Sequence, residues 1–328
     1  MSSRTTPRLM AAGAIGNLLE WYDFAVYGYF AAQIGRAFFP EQDKVAQLLA
    51  AFGVFAVGFM MRPVGGAVFG QIGDRLGRRT ALTLSVAAMA VPTFLIGLLP
   101  GYAVLGLAAP ILLTVLRMVQ GMSVGGEYTT SVVFLVEGAR PERRGVVGAV
   151  ADLGGVCGIL LGSATGAVLE WLLSAQVVAD WGWRVPFWIG LLVGLAGLAL
   201  RRGLQEEGQE NSGGKRERSP LLTVFREHWR PLGYLAGISV FGAVGFYLMF
   251  VYVVSWLQFA DGIAPAQALT INTISMALLI PAELAMAALS DRFGRRLMLL
   301  LITGAAVPAS WPLFWLLHGP DQWMILLG

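Results

Sequence analysis

The chain has 328 residues, of which 56% are hydrophobic and only 13% charged, with a formal net charge of +3 and a mean hydropathy of +0.68. A soluble domain carries about a quarter charged residues, so this composition excludes a water-soluble fold and belongs to an integral membrane protein built from apolar helices. The basic residues are scattered between apolar runs, which points to membrane topology and lipid contact and away from nucleic acid. One cysteine, Cys157, excludes an intrachain disulfide, and with two histidines, His228 and His318, it offers no metal-ligand set.

The first apolar run begins near residue 10 and already contains Glu20 and Asp23. A cleavable leader has an uninterrupted apolar core, so this run reads as a retained helix. Runs of spanning length follow at about 45–70, 80–99, 104–136, 144–173, 184–203, 231–259, 266–290 and 297–317. The spacing predicts six spans in residues 1–203, a polar glycine- and charge-rich linker at 204–230, and a second bundle over 231–328 that stops inside a tenth span near Trp323. The fold class is thus all-α integral membrane. With the N-terminus placed in the cytoplasm, 18 of the 23 Lys and Arg residues fall on cytoplasmic segments. Only Arg36, Lys44 and Arg184 fall outside, and Arg62 and Arg117 lie within spans. That asymmetry predicts the orientation.

Charge at membrane depth is costly, so each buried ionisable residue is a functional candidate. In span 1, Glu20 and Asp23 share a helix face with Asn17 and Tyr27. Arg62 lies twelve residues before Asp74, roughly 18 Å from the end of span 2. In span 4, Arg117 carries Gln120 and Gly121 on its face, with Glu127 farther along. Asp152 in span 5 and Glu283 beside Pro281 in span 8 complete the set. Acids and arginines at similar depth can neutralise one another while one acid exchanges its proton, and a buried guanidinium suits a carboxylate substrate. Structural ion pairing, of Glu20 with either Arg62 or Arg117, is the competing reading. Span 5 also carries Gly154, Gly158, Gly162 and Gly166, a small-residue stripe for close helix packing at a moving interface. Among the aromatics, Tyr22, Tyr27, Tyr247, Tyr252 and Trp256 are candidates to line a cavity, and Trp171, Trp181 and Trp183 read as interfacial anchors.

Two decapeptides recur 217 residues apart: "GQIGDRLGRR" at 70–79 and "AALSDRFGRR" at 287–296. Gly70, Asp74, Arg75, Gly77, Arg78 and Arg79 in the first correspond to Ala287, Asp291, Arg292, Gly294, Arg295 and Arg296 in the second. Both fall after the second span of their bundle, which marks an internal repeat. With "GNLLEWYDFAVYG" (16–28), "MRPVGGAVFGQIGDRLGRR" (61–79) and "RMVQGMSVGGEY" (117–128), the chain resembles the major facilitator superfamily, in its metabolite:proton symporter branch.

That resemblance implies two six-helix halves, a proton as the coupling ion with no other cofactor, and a monomer in the cytoplasmic (inner) membrane. It implies a small substrate such as a carboxylate or betaine. It also implies that Arg117-x-x-Gln120-Gly121 takes part in coupling, and that the decapeptide loops latch the cytoplasmic gate. For Asp291 the expected partner is the start of span 5, where Arg143, Arg144 and a helix N-terminus put residues 143 to 147 within ion-pair or capping reach; for Asp74 only local or span 4 partners are expected. No nucleophile–base set or phosphate-binding loop appears at usable spacing, so an enzyme is not expected. A non-transporting sensor on the same fold and an inactive truncated transporter are the alternatives.

Overall fold

The computed structural model describes residues 7–40, 43–76, 78–123, 136, 139–202 and 227–317. Among them no strand occurs. The main helices are α1 (Pro7–Tyr29), α2 (Ala31–Phe38), α3 (Lys44–Met60), α4 (Arg62–Leu76), α5 (Arg78–Leu98) and α6 (Ala108–Ser123). They continue with α7 (Arg144–Leu172), α8 (Val185–Arg202), α9 (Trp229–Tyr247), α10 (Val253–Phe259), α11 (Pro265–Phe293) and α12 (Arg295–Leu316). Five helical stretches are long and apolar enough to cross a membrane, and three shorter apolar helices accompany them. A backbone in hydrocarbon has no water to bond, so it must satisfy its own amides, and helices are the open-chain solution.

Several predicted spans are interrupted. Span 2 bends at Met61, where α3 ends and α4 begins with Arg62. Span 7 carries a π-helical turn, Leu248–Tyr252, between α9 and α10. Pro92 in α5, Pro281 in α11, and Pro308 and Pro312 in α12 sit inside helices, which packed membrane helices tolerate.

The core lies mainly in α1–α8 and continues into α10 and α11 through Val254, Leu257, Ala268, Leu269 and Met276. Tyr22, Phe24, Tyr27, Phe30, Phe38 and Phe187 are almost wholly buried, with α1 packed on α7 and α8, α5 on α6 and α8, and α3 on α6. Trp183, expected as an interfacial anchor, is instead fully buried, edge-on to Phe38 and Phe187. The short turn before α8 folds back under the end of α2, where an indole has more to gain from ring contacts than from headgroups. Trp171 and Trp181 are exposed, as an anchoring role requires. Tyr22 and Tyr27 are core residues rather than cavity lining: their hydroxyls donate to the carbonyls of Pro186 and Ala51.

After residue 226, α9 has no buried residue and α12 only Met298. Their outward side chains, including Ile238, Phe241, Leu300 and Trp311, are large and apolar. Such continuous apolar surface is stable only against lipid or further helices.

The glycine stripe packs, but mainly on α1. A Cβ at Gly158 would strike the Leu18 carbonyl, and one at Gly162 would meet Ala25. Gly166 alone of these three faces α11, against Leu269, and Gly154 is buried. The stripe therefore seats α7 inside the first bundle more than it lubricates an interface between bundles. The tightest approach is elsewhere: a Cβ at Gly121 would overlap the Gly58 carbonyl, so α3 and α6 touch backbone to backbone. This contact sets the position of Arg117, one turn earlier on α6.

Gly121→Ala should therefore lower stability by about 1–3 kcal/mol through overpacking. Gly70→Ala, whose new methyl meets nothing within 4 Å, should be neutral or slightly stabilising in its helix. Thermal unfolding of the two variants in detergent checks the contrast; equal melting temperatures would contradict the α3–α6 contact.

Candidate functional site

The first cluster lies inside the first bundle. Asp23 on α1 is 2% exposed and Arg117 on α6 is 0% exposed. One guanidinium nitrogen of Arg117, Nη1, donates to Asp23 Oδ2 at 2.7 Å and to Gln120 Oε1 at 2.8 Å. Gln120 Nε2 donates to Asp23 Oδ1 at 2.7 Å, and the Thr93 hydroxyl from α5 donates to that same oxygen at 2.6 Å. The ring of Tyr27 lies 4.3 Å from the guanidinium carbon, with Phe24 and Phe55 at 5.2 and 5.3 Å. These rings supply the quadrupole faces that a buried cation favours. Arg117 Nε and Nη2 have no hydrogen-bond partner among the described residues. The acid and the arginine thus form a closed, neutral pair whose removal from water is offset by short charge-assisted bonds.

The second cluster is more open. Arg62 donates to Glu20 at 3.0 Å, with 28% and 13% of their side chains exposed. The Arg62 guanidinium lies over Phe59 at 4.0 Å and Phe24 at 4.9 Å. Sequence reasoning left Glu20 to either arginine; the structure gives it Arg62 and keeps Arg117 for Asp23. Asp23 faces α5 and α6, where Thr93 is a partner that the sequence does not single out.

Asp152 and Glu283 stand apart from these pairs, on α7 and α11, within electrostatic range of one another. Asp152 lies eight residues after the start of α7 and Glu283 eight before Asp291, so each is roughly 12 Å from the crossing described next. Glu127 and Gly77, and the side chains of Asp74, Arg78 and Arg79, lie outside the described residues. Gly70 and Arg75 are exposed.

At the start of α7, Asp291 accepts from the backbone N–H groups of Gly145 at 2.8 Å and Val146 at 3.0 Å. Of the partners expected at the start of span 5, the helix N-terminus is the one Asp291 uses. The side chains of Arg143 and Arg144 are exposed and do not hold Asp291; the helix N-terminus does, because its first amides lack intrahelical acceptors and carry partial positive charge. Arg295, one turn on, lies 3.5 Å from Asp291. Gly294 follows with φ +91°, a left-handed conformation natural to glycine, and α12 starts at once. Arg292, Arg295 and Arg296 stay exposed at the arginine-rich end.

A second crossing, unseen in the sequence, joins the same helices farther along. Asn272 on α11 donates to the Tyr29 hydroxyl at 2.6 Å and to Ser163 on α7 at 3.2 Å. Tyr29 donates to the Phe250 carbonyl in the π-helical turn at 3.2 Å, and Ser163 and Thr273 share a 2.7 Å hydroxyl contact. Seventeen residues of α7 separate Val146 from Ser163, about 26 Å of helix. The helices before and after residues 203–226 are therefore tied at both ends of one long seam.

A bundle with neutralised charges at membrane depth, tied across a seam by polar contacts at its ends, defines a class: a polytopic carrier that must rearrange to expose an internal site. The Sugar (and other) transporter family model matches residues 9–206. Over 98% of its length the chain is 33% identical to the Proline/betaine transporter of Salmonella typhimurium, covering 67% of that protein. It is 35% identical to the glycine betaine/proline/ectoine/pipecolic acid transporter OusA of Dickeya dadantii, covering 66% of it, and so spans about two thirds of the length of these curated relatives. Among solved structures, a D-xylose–proton symporter superposes with TM-score 0.66 over 98% of this chain and 78% of its own, at 17% identity. The proton:xylose symporter XylE of the major facilitator superfamily superposes with TM-score 0.64 over 90% and 71%, at 18% identity. The chain belongs to the sugar (and other) transporter family and has the major facilitator fold; it is a multi-pass membrane transporter and not an enzyme.

Cys157, the sole cysteine, is half-buried on α7 within electrostatic range of Glu283, and so reports on the seam. Asp291→Ala removes hydrogen bonds to a charged group, each about 1.5–3 kcal/mol. Maleimide labelling of Cys157 should accelerate roughly tenfold or more, whereas Arg143→Ala, at an exposed side chain that does not hold Asp291, should change it little. Unaltered labelling in Asp291→Ala would remove the latch reading.

Proposed function

We propose that the protein carries a small carboxylate-bearing metabolite together with a proton, by alternating access across the cytoplasmic membrane. The arginine-rich end, where Asp291 meets α7, faces the cytoplasm, as the distribution of Lys and Arg favours. The relatives' names, proline and betaine transporters, and the fold shared with proton–xylose symporters support this reading. It needs no cofactor besides the proton and acts as a monomer surrounded by lipid.

The observation that carries it is the buried Asp23–Arg117 pair with Thr93 and Gln120 around it. When ionised, Asp23 neutralises Arg117 and holds α1 to α5 and α6. When protonated, it releases the guanidinium charge, which then requires another anion nearby, and the carboxylate of a substrate supplies one. Substrate and proton therefore enter the same charge balance, which is the physical content of symport. Asn272 and Asp291, at the two ends of the seam, supply contacts that must break in turn for the site to open to either side.

In proteoliposomes, an imposed inward pH gradient should drive accumulation of labelled substrate. Asp23→Asn keeps the site's size and mimics the protonated acid. It should abolish accumulation, leaving exchange of preloaded substrate at least partly intact. Equal loss of both activities would make Asp23 structural.

A further inference from the structure

We infer that Thr93 is a positioning residue for the coupling proton: it places that proton on Oδ1 of Asp23 by reversing one hydrogen bond between α1 and α5. This rests on the transport reading above, in which Asp23 takes up the proton. It adds which oxygen carries the proton and what lets so closed a site hold it.

The groups around the carboxylate leave one place for a proton. Arg117 Nη1 donates to Oδ2 at 2.7 Å, so a proton on that oxygen would face a donor. Gln120 Nε2 donates to Oδ1 at 2.7 Å, and its Oε1 accepts from Arg117 at 2.8 Å. Turning that amide to offer Oε1 to Asp23 would set Nε2 against the guanidinium. The Thr93 hydroxyl, 2.6 Å from Oδ1, can either donate or accept. Its oxygen also lies 2.7 Å from the Met89 carbonyl, so its single hydrogen has two acceptors to choose between. Tyr22 and Tyr27, within electrostatic range of Asp23, direct their hydroxyls to the carbonyls of Pro186 and Ala51. Glu20 and Arg62 pair with each other one turn earlier, and α3 presents the Phe55 ring. Among the described residues, Thr93 is therefore the acceptor for an Asp23 proton.

Asp23 is then satisfied in both states. When it is ionised, Thr93 donates to Oδ1 and accepts from Gln120 Nε2 at 2.7 Å. When a proton binds Oδ1, the new O–H donates to Thr93, and the Thr93 hydrogen rotates to the Met89 carbonyl. That carbonyl has a second lone pair besides the one the helix ladder uses, and a helical threonine readily bonds one turn back. The α1–α5 bond persists with its direction reversed, so no buried donor is left without an acceptor to oppose protonation. The change in charge falls on Arg117, whose Nε and Nη2 have no hydrogen-bond partner among the described residues. Proton uptake is felt there as a guanidinium in need of an anion, while α1 stays seated on α5.

The test is infrared difference spectroscopy of the purified full chain in lipid nanodiscs, recorded on acidification with glycine betaine present as the probe. An acid C=O band that is lost in Asp23→Asn reports the protonated Asp23. An acid whose O–H donates has a softer C=O, so the band should move to higher frequency in Thr93→Val, which keeps the side chain's shape without the hydroxyl. It should return to the wild-type position in Thr93→Ser. Monodisperse elution shows that each variant is folded. A second measurement leaves Thr93 intact: with methionine carbonyls labelled with carbon-13, acidification should lower the Met89 amide band, a change assigned by its absence in Met89→Leu. An Asp23 band indifferent to Thr93→Val, or a Met89 carbonyl that does not respond, would overturn the inference and leave Asp23 as the proton carrier. Absence of any acid band dependent on Asp23 would overturn it together with the transport reading.

Discussion

The cost of charge in an apolar interior organises this molecule. Asp23 and Arg117 are both almost inaccessible, and neither is tolerable alone: removing one partner of such a pair leaves a buried charge worth about 3–5 kcal/mol of destabilisation. Each neighbouring feature serves that neutralisation. The contact of Gly121 with Gly58 brings α6 close enough to α3, Thr93 and Gln120 occupy the remaining oxygen of Asp23, and Tyr27, Phe24 and Phe55 surround the guanidinium. Proton coupling needs a charge whose tolerance depends on what else is bound. The closed Asp23–Arg117 pair and the more exposed Glu20–Arg62 pair sit about one turn apart on α1.

The same principle explains the seam. Helices α7 and α11 pack along their length, and apolar contact alone would let them slide. Polar crossings near the two ends fix their register. They differ in kind: Asp291 bonds as a charged group to a helix N-terminus, while Asn272, Tyr29 and Ser163 form a neutral network. Charge-assisted bonds are roughly twice as strong as neutral ones, so bond for bond the Asp291 crossing is the stronger. The π-helical turn at Leu248–Tyr252 provides the carbonyl that Tyr29 uses, and such turns recur where helices serve function.

Much of this was legible in the sequence because charge within apolar runs is conspicuous. Asp23, Arg62 and Arg117 stood out for that reason, and the repeated decapeptide located Asp291 against the start of span 5. What stayed hidden lacked charge or lay in the backbone. Thr93 looks like any threonine in an apolar helix, where its hydroxyl can bond the preceding turn; the Met89 carbonyl lies 2.7 Å from it as an alternative acceptor. At the start of span 5 the sequence offers Asp291 both the side chains of Arg143 and Arg144 and a helix N-terminus, and only the structure shows that the amides of Gly145 and Val146 are the ones used. Tyr29, Ser163 and Asn272 are uncharged and more than a hundred residues apart, so no periodicity joins them. The glycine stripe was visible, but its partner helix was a question of bundle geometry that only the structure answers.

The central claim is that Asp23 is the group whose proton accompanies the substrate. Its most direct measurement is the proton exchanged when glycine betaine is added to the purified protein in weakly buffered solution, followed with a pH indicator. The account predicts a net proton change in the wild type, its loss in Asp23→Asn, and its persistence in Glu283→Gln, whose acid lies on the separate α7–α11 seam. An undiminished proton change in an Asp23→Asn protein that still binds the substrate would contradict it.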